Sequence, residues 1–143
     1  HVLEPQDGRP LRLQGDRGLS QKGSEPGNAS FYYSATRLEA RGSVTVGDDV
    51  HSVGGAAWLD REWSTSALSE GQTGWDWFAI QLDDGRELML YRMRRADGTT
   101  DPHNSGTLVA ADGTTTMVCS SWFSSRREVH SGTSFAWRAS KAA

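Results

Sequence analysis

The sequence predicts an all-β chain, an antiparallel meander whose hairpins close into a barrel or a strongly curved half-barrel. Three observations carry this. No segment keeps a helical period over three turns. Strand-like runs are separated by Asp-Gly turns at Asp83–Gly85, Ala96–Gly98 and Ala111–Gly113, the spacing of successive hairpins. The chain also spends 16 of its 143 residues on glycine, as turns and bent strands require.

Taken in order, residues 1–29 are rich in Gly, Pro and Ser and show no sustained period, so they read as a loop-rich arm over the body. From residue 30 to 143 the pattern is that of one β domain. SFYYSATRL, rich in aromatic and hydroxyl residues, opens it as a strand. RGSVTV follows, then the turn GDD, then VHSVGGAAWLDREW, whose Gly54-Gly55 pair is expected to mark a bulge or corner. STSALSEGQ has room for a short helix limited by its glycine. GWDWFAIQL, RELMLYRMRR, SGTLVAA, TTTMVCSSWF and SFAWRAS complete the strand-like runs.

The length suits one core. A formal net charge of −3 with scattered Lys and Arg provides no electrostatic footprint for nucleic acid or a membrane surface. No run approaches the ~20 apolar residues of a transmembrane helix. The single cysteine, Cys119, forms no internal disulfide and is expected to be a half-buried packing residue. No His, Cys or acid spacing matches a zinc or calcium site, no phosphate-binding loop is present (GLSQKG does not lead from a strand into a helix), and no cofactor is expected. Because the chain begins at His1 rather than Met, it is expected to be a processed or partial product.

Strand alternation sorts the candidate site. Ala56, Trp58, Asp60 and Glu62 share one face. Trp75, Trp77 and Ala79 share one face of the next run, with Asp76, Phe78, Ile80 and Leu82 on the other. In RELMLYRMRR, Leu88 and Leu90 oppose Met89, Tyr91 and Met93. Both faces are thus largely apolar, as in a barrel that holds a hydrophobic ligand. An exposed strand edge also points to a homodimer.

The stretch AWLDREWSTS places Asp60 and Glu62 between Trp58 and Trp63. An acid beside tryptophan and facing an apolar lumen is desolvated, which favours its protonated form. A second carboxylate ~7 Å along the strand adds to that effect. Such an acid can protonate an alkene or a leaving group. Its ordinary alternative is pairing with Arg61, Arg92 or Arg94 at a rim. Asp76 is a second candidate acid, and of Tyr32 and Tyr33, which cannot both face inward, Tyr33 is expected to. The expected ligand-binding residues are therefore Trp58, Trp63, Tyr33, Trp75, Trp77, Asp76 and Tyr91. Serine catalysis by Ser64 or Ser66 with His51, His103 or His130 lacks a Gly-x-Ser-x-Gly elbow.

Four ordered stretches, GLSQKGSEPGNASFYYSATRL, GGAAWLDREWSTS, GWDWFAIQLDDGRELMLYRMR and DPHNSGTLVAADG, together resemble the AttH/CrtC family. That family includes carotenoid 1,2-hydratases, kievitone-type hydratases, lipocalin-like pericyclases and bacterial secreted-hydrolase members. The resemblance implies a lipocalin-like barrel, one portion of a two-barrel protein, and a secreted or periplasmic location. It implies a hydrolase or hydratase acting on a lipid- or terpenoid-like molecule, with Asp60 as general acid, Glu62 as its partner and Trp58 steadying a cation. The family usually carries histidine where this chain has Arg61. Two other readings stand beside it: a lipocalin-like binding domain without chemistry, and a serine carboxylesterase.

Overall fold

The computed structural model describes residues 2–5, 9–65 and 68–119. The described residues form nine strands and no helix: β1 (Val2–Pro5), β2 (Arg12–Leu13), β3 (Leu19–Gln21), β4 (Ala29–Val46), β5 (Asp49–Ser64), β6 (Gln72–Gln81), β7 (Glu87–Arg95), β8 (Ser105–Val109) and β9 (Thr115–Cys119). They make two antiparallel sheets and, among the described residues, no closed barrel. The first sheet is built on β4. The strand β5 pairs along one edge from Ser30↔Ser64 to Val46↔Asp49, and β3, β2 and β1 pair in turn along the other. The second sheet is the meander β6-β7-β8-β9.

Residues 2–21 show no period in sequence because their strands are only four, two and three residues long. Their register comes from β4, which supplies the partner for all three. Long β4 and β5 form one hairpin. The register shift lies at Ala35/Leu38 on β4, whereas Gly54 and Gly55 pair regularly with Arg41 and Ala40, so the expected bulge at the glycine pair is corrected to β4.

Two Asp-Gly turns close hairpins in the same way. Gly85 N–H donates to Leu82 O and Gly113 N–H to Ala110 O, with both glycines at positive φ, where a Cβ would be strained. The third, Ala96–Gly98, opens the longer connection 96–104 instead of closing a hairpin directly. That connection is pinned by buried Asp101, which accepts from Gln72 Nε2 (3.0 Å), His103 N–H (2.8 Å) and Arg95 Nη1 (3.3 Å). The stretch offered as a short helix is a turn where described, with Gln72 N–H bonded to Ser69 O; residues 66 and 67 lie outside the described residues. Cys119 is exposed, against the half-buried expectation, because it ends β9. SFAWRAS and His130 lie outside the described residues.

The inner faces of the two sheets meet around Tyr32, Met89, Tyr91 and Met93, with Trp58 packed against them. Burying each such side chain contributes about 1.5–3 kcal/mol. A second tie holds the layers together. Fully buried Glu87 of β7 accepts from Arg9 Nη1 and Arg37 Nε, both at 2.7 Å, and from Thr36 Oγ1 at 3.3 Å, joining the N-terminal segment, β4 and β7. Within the second sheet, close pairing of β7 and β8 needs Gly106, since a Cβ there would collide with the Met89 carbonyl oxygen and the Leu90 side chain.

The inner face of β4 is polar. Ser30, Tyr32, Ser34 and Thr36 are buried, while Phe31 is 66% exposed on the outside. On that outer face Leu19, Phe31 and Trp63 form an exposed cross-strand row.

Candidate functional site

The reason for a hydroxyl-lined strand lies on its neighbour. The β4–β5 register sets Ser34 opposite Asp60, Tyr32 opposite Glu62 and Ser30 opposite Ser64, all on the inner face. The carboxyls thus enter the gap between the sheets with donors already facing them. Asp60 Oδ1 accepts from Ser34 Oγ (2.5 Å) and from Trp58 Nε1 (2.8 Å), two residues earlier on the same face. Its Oδ2 accepts from Tyr32 Oη at 3.0 Å. Ser34 Oγ in turn accepts from Gln14 Nε2, and Gln14 Oε1 accepts from Thr107 Oγ1, so this network crosses both sheets.

Burial pushes the Asp60 carboxyl above the usual aspartate range. The three donors oppose that rise and the Glu62 charge adds to it. Burial likewise raises the Tyr32 hydroxyl, with the Asp60 charge adding to the effect, so Tyr32 keeps its proton at neutral pH.

Beside this network lies an open cavity of ≈ 400 Å³. Tyr32, Glu62 and Ser64 line it from the first sheet, and Trp75, Trp77, Tyr91 and Met93 from the second. Lys22, Asn28 and Leu68 complete the wall from the connections at that end. Asp60 does not line the cavity. It stands behind Tyr32, whose hydroxyl also accepts from Trp77 Nε1 at 3.1 Å. Tyr32 therefore links the desolvated acid to the cavity.

Glu62 borders the cavity directly. Its Oε1 takes Lys22 Nζ at 3.0 Å and a hydrogen bond from Ser30 Oγ. Lys22 Nζ also lies over the Tyr91 ring at 3.8 Å and the Tyr32 ring at 5.3 Å. Burial lowers the Lys22 pKa, partly offset by the Glu62 and Asp60 charges.

Of the residues expected from sequence, the structure sets Glu62, Trp75, Trp77 and Tyr91 on the cavity wall and places Trp58, bonded to Asp60, behind it. The expectation for Tyr33 is corrected: Tyr32 faces inward. Tyr33 and Trp63 lie on the opposite face of the sheet, ring centroids 5.6 Å apart, because alternation turns Phe31, Tyr33, Arg61 and Trp63 away from Ser30, Tyr32, Asp60 and Glu62. Asp76 is also on an outer face, paired with Arg94 Nη1 at 2.7 Å. Ser64 borders the cavity and donates to Ala29 O, but His51 sits on the β4–β5 hairpin and His103 binds Asp101; neither lines the cavity, and Ser66 lies outside the described residues.

Lys22 is a residue that sequence reasoning missed, and Tyr32 is the one it weighed and set behind Tyr33. A signal for Lys22 was present: it is one of only two lysines, with Lys141, in a chain whose other basic residues are arginines. Among the described residues no group of three His, Cys, Asp or Glu is placed to hold a metal ion, and no helix is long and apolar enough to cross a membrane.

The sequence model of the AttH-like family matches residues 2–136. Among solved structures, a Nitrosomonas europaea protein described as an AttH is similar with a TM-score of 0.76 and 38% identity, over 83% of this chain and 36% of that one. Kievitone hydratase of Nectria haematococca is similar with a TM-score of 0.58 and 17% identity, over 76% of this chain and 33% of that one. At that identity the second likeness is one of fold. The chain therefore spans about a third of the length of either solved protein. No curated protein matches it in sequence.

Proposed function

The chain belongs to the AttH-like family, and on that premise we propose that it takes a hydrophobic small molecule into the cavity between its sheets and protonates it. The observation that carries this reading is the contact of the desolvated Asp60 carboxyl with a tyrosine hydroxyl that borders an aromatic cavity. A protonated Asp60 donates to Tyr32 Oη, and Tyr32 passes its own proton to an alkene carbon or leaving group. An alkene's π pair takes that proton and leaves a carbocation; with a leaving group, a lone pair of the leaving atom takes it and the bond to carbon breaks with its electrons going to that atom. Water then adds to the resulting cation and returns a proton to the carboxylate, so acid and tyrosine are regenerated. The faces of Trp77, Trp75 and Tyr91 steady the developing positive charge. The reaction class is hydration or hydrolysis, in keeping with the fold shared with a hydratase.

The test begins with mass spectrometry of the purified chain to identify any co-purified apolar compound, followed by turnover of that compound. Asp60→Asn should bind it and fail to convert it; unchanged turnover would sink the general-acid role. Binding without turnover in the wild type would favour the second reading, a lipocalin-like binding domain, which the open aromatic cavity also supports. A secreted or periplasmic location and a homodimer packed through the Leu19–Phe31–Trp63 row belong to the same proposal. Light scattering that returns a monomer would remove the dimer.

A further inference from the structure

Lys22 and Glu62 offer the cavity a matched donor and acceptor that the proton-transfer network does not use. Glu62 Oε1 is occupied by Lys22 Nζ and by Ser30 Oγ, whereas Oε2 accepts no hydrogen bond among the described residues. Of the three hydrogens on Lys22 Nζ, Glu62 takes one and the Tyr91 ring face accommodates the cation on a second side. Lys22 is mostly buried, with a side chain 17% exposed, yet both residues border the cavity. From this geometry we infer that the cavity's ligand is an apolar molecule bearing a neutral hydroxyl group, an alcohol or a phenol, bound at the Lys22–Glu62 pair. The inference rests on the reading that the cavity binds a hydrophobic small molecule and narrows its class.

Charge balance and hydrogen-bond matching both favour a neutral hydroxyl here. The ammonium and the carboxylate sum to zero. A ligand anion would meet Glu62 and a ligand cation would meet Lys22; either would leave a net charge in a partly desolvated site. A neutral hydroxyl fits both partners. Its oxygen accepts from Lys22 Nζ and its hydrogen goes to Glu62 Oε2. A ketone or ether uses only the lysine, and a hydrocarbon uses neither and leaves the pair to lose water without replacement. The apolar part of the wall, Trp75, Trp77, Met93 and Leu68, takes the apolar body.

The experiment is isothermal titration of the full chain, at neutral pH, with four probes of one shape: para-propylphenol, propylbenzene, para-propylbenzoate and para-propylbenzylammonium. The phenol should bind the wild type at least about fivefold more tightly than the hydrocarbon, and more tightly than either ion. Lys22→Met should erase the phenol's advantage and favour the ammonium, because Glu62 is then unpaired. Glu62→Gln should shift preference toward the benzoate, because Lys22 is then unpaired. A purely structural role for the pair would not invert charge preference in this way. If one variant fails to fold by circular dichroism, the other and the wild-type series still decide. Equal binding of phenol and hydrocarbon, or tightest binding of either ion by the wild type, overturns this inference and leaves the cavity reading standing. Binding of none of the four overturns both.

Discussion

Tyr32 Oη lies 3.0 Å from Asp60 Oδ2, and of the two residues only the tyrosine borders the cavity. An acid that cannot touch a ligand directly must act through the group that does. The chemistry then depends on the tyrosine hydroxyl as much as on the carboxyl.

Tyr32→Phe should therefore lower turnover of a converted compound by roughly 10²–10⁴-fold, the usual worth of a positioned proton donor. Affinity should change little, since the ring remains in the wall. The Trp77 indole N–H loses its acceptor, and stability should fall by about 1–3 kcal/mol. Steady-state kinetics with a separate binding titration checks this. A loss confined to affinity would place Tyr32 in binding alone.

Asp60→Asn should change how stability depends on pH. The folded-state pKa of Asp60 is raised, so between the ordinary aspartate value and the raised one the folded chain holds a proton that the unfolded chain has released. Its contribution to stability is full below that window and is lost as pH rises through it. Asparagine mimics the protonated acid, with its carbonyl accepting from Ser34 and Trp58 and its amide donating to Tyr32. The melting temperature of Asp60→Asn relative to wild type should therefore climb as pH rises across this window. A difference that falls with rising pH would mean that the carboxylate is the favoured form.

Glu87→Ala should cost about 3–5 kcal/mol, because it strips the shared acceptor from Arg9 and Arg37 in the interior. Asp76→Ala, which breaks a pair with Arg94 exposed on both sides, should cost less than about 1 kcal/mol. Urea unfolding of both variants makes the comparison.

Gly106→Ala should destabilise by about 1–3 kcal/mol, since the added methyl meets the Met89 carbonyl and Leu90, backbone and packed side chain that have little room to yield. Thermal unfolding measures the loss. An unchanged midpoint would show that β8 can shift away from β7.

The sequence made the all-β class legible because turn chemistry and strand alternation are local. Asp-Gly turns at 85 and 113 close their hairpins as read, and the face shared by Trp58, Asp60 and Glu62 follows from period two alone. Closure was not legible. Whether two sheets join depends on edges, and among the described residues they do not. The inward choice of Tyr33 over Tyr32 failed because alternation alone does not say which parity faces the interior. Here β4 turns Ser30, Tyr32 and Ser34 inward to serve Asp60 and Glu62 across the register, and leaves Phe31 and Tyr33 on the other side. The role of Lys22 was not legible: its rarity as one of two lysines marks it, but the contact that gives it meaning joins residues forty apart, and no local pattern encodes it.

The most direct test of the account is infrared difference spectroscopy of the carboxyl stretch during a pH titration, wild type against Asp60→Asn. The account requires a protonated-acid band that persists above the ordinary aspartate range and is missing from the variant. If every carboxyl band lost on substitution titrates at or below the ordinary value, Asp60 holds no proton to deliver and the general-acid reading is wrong.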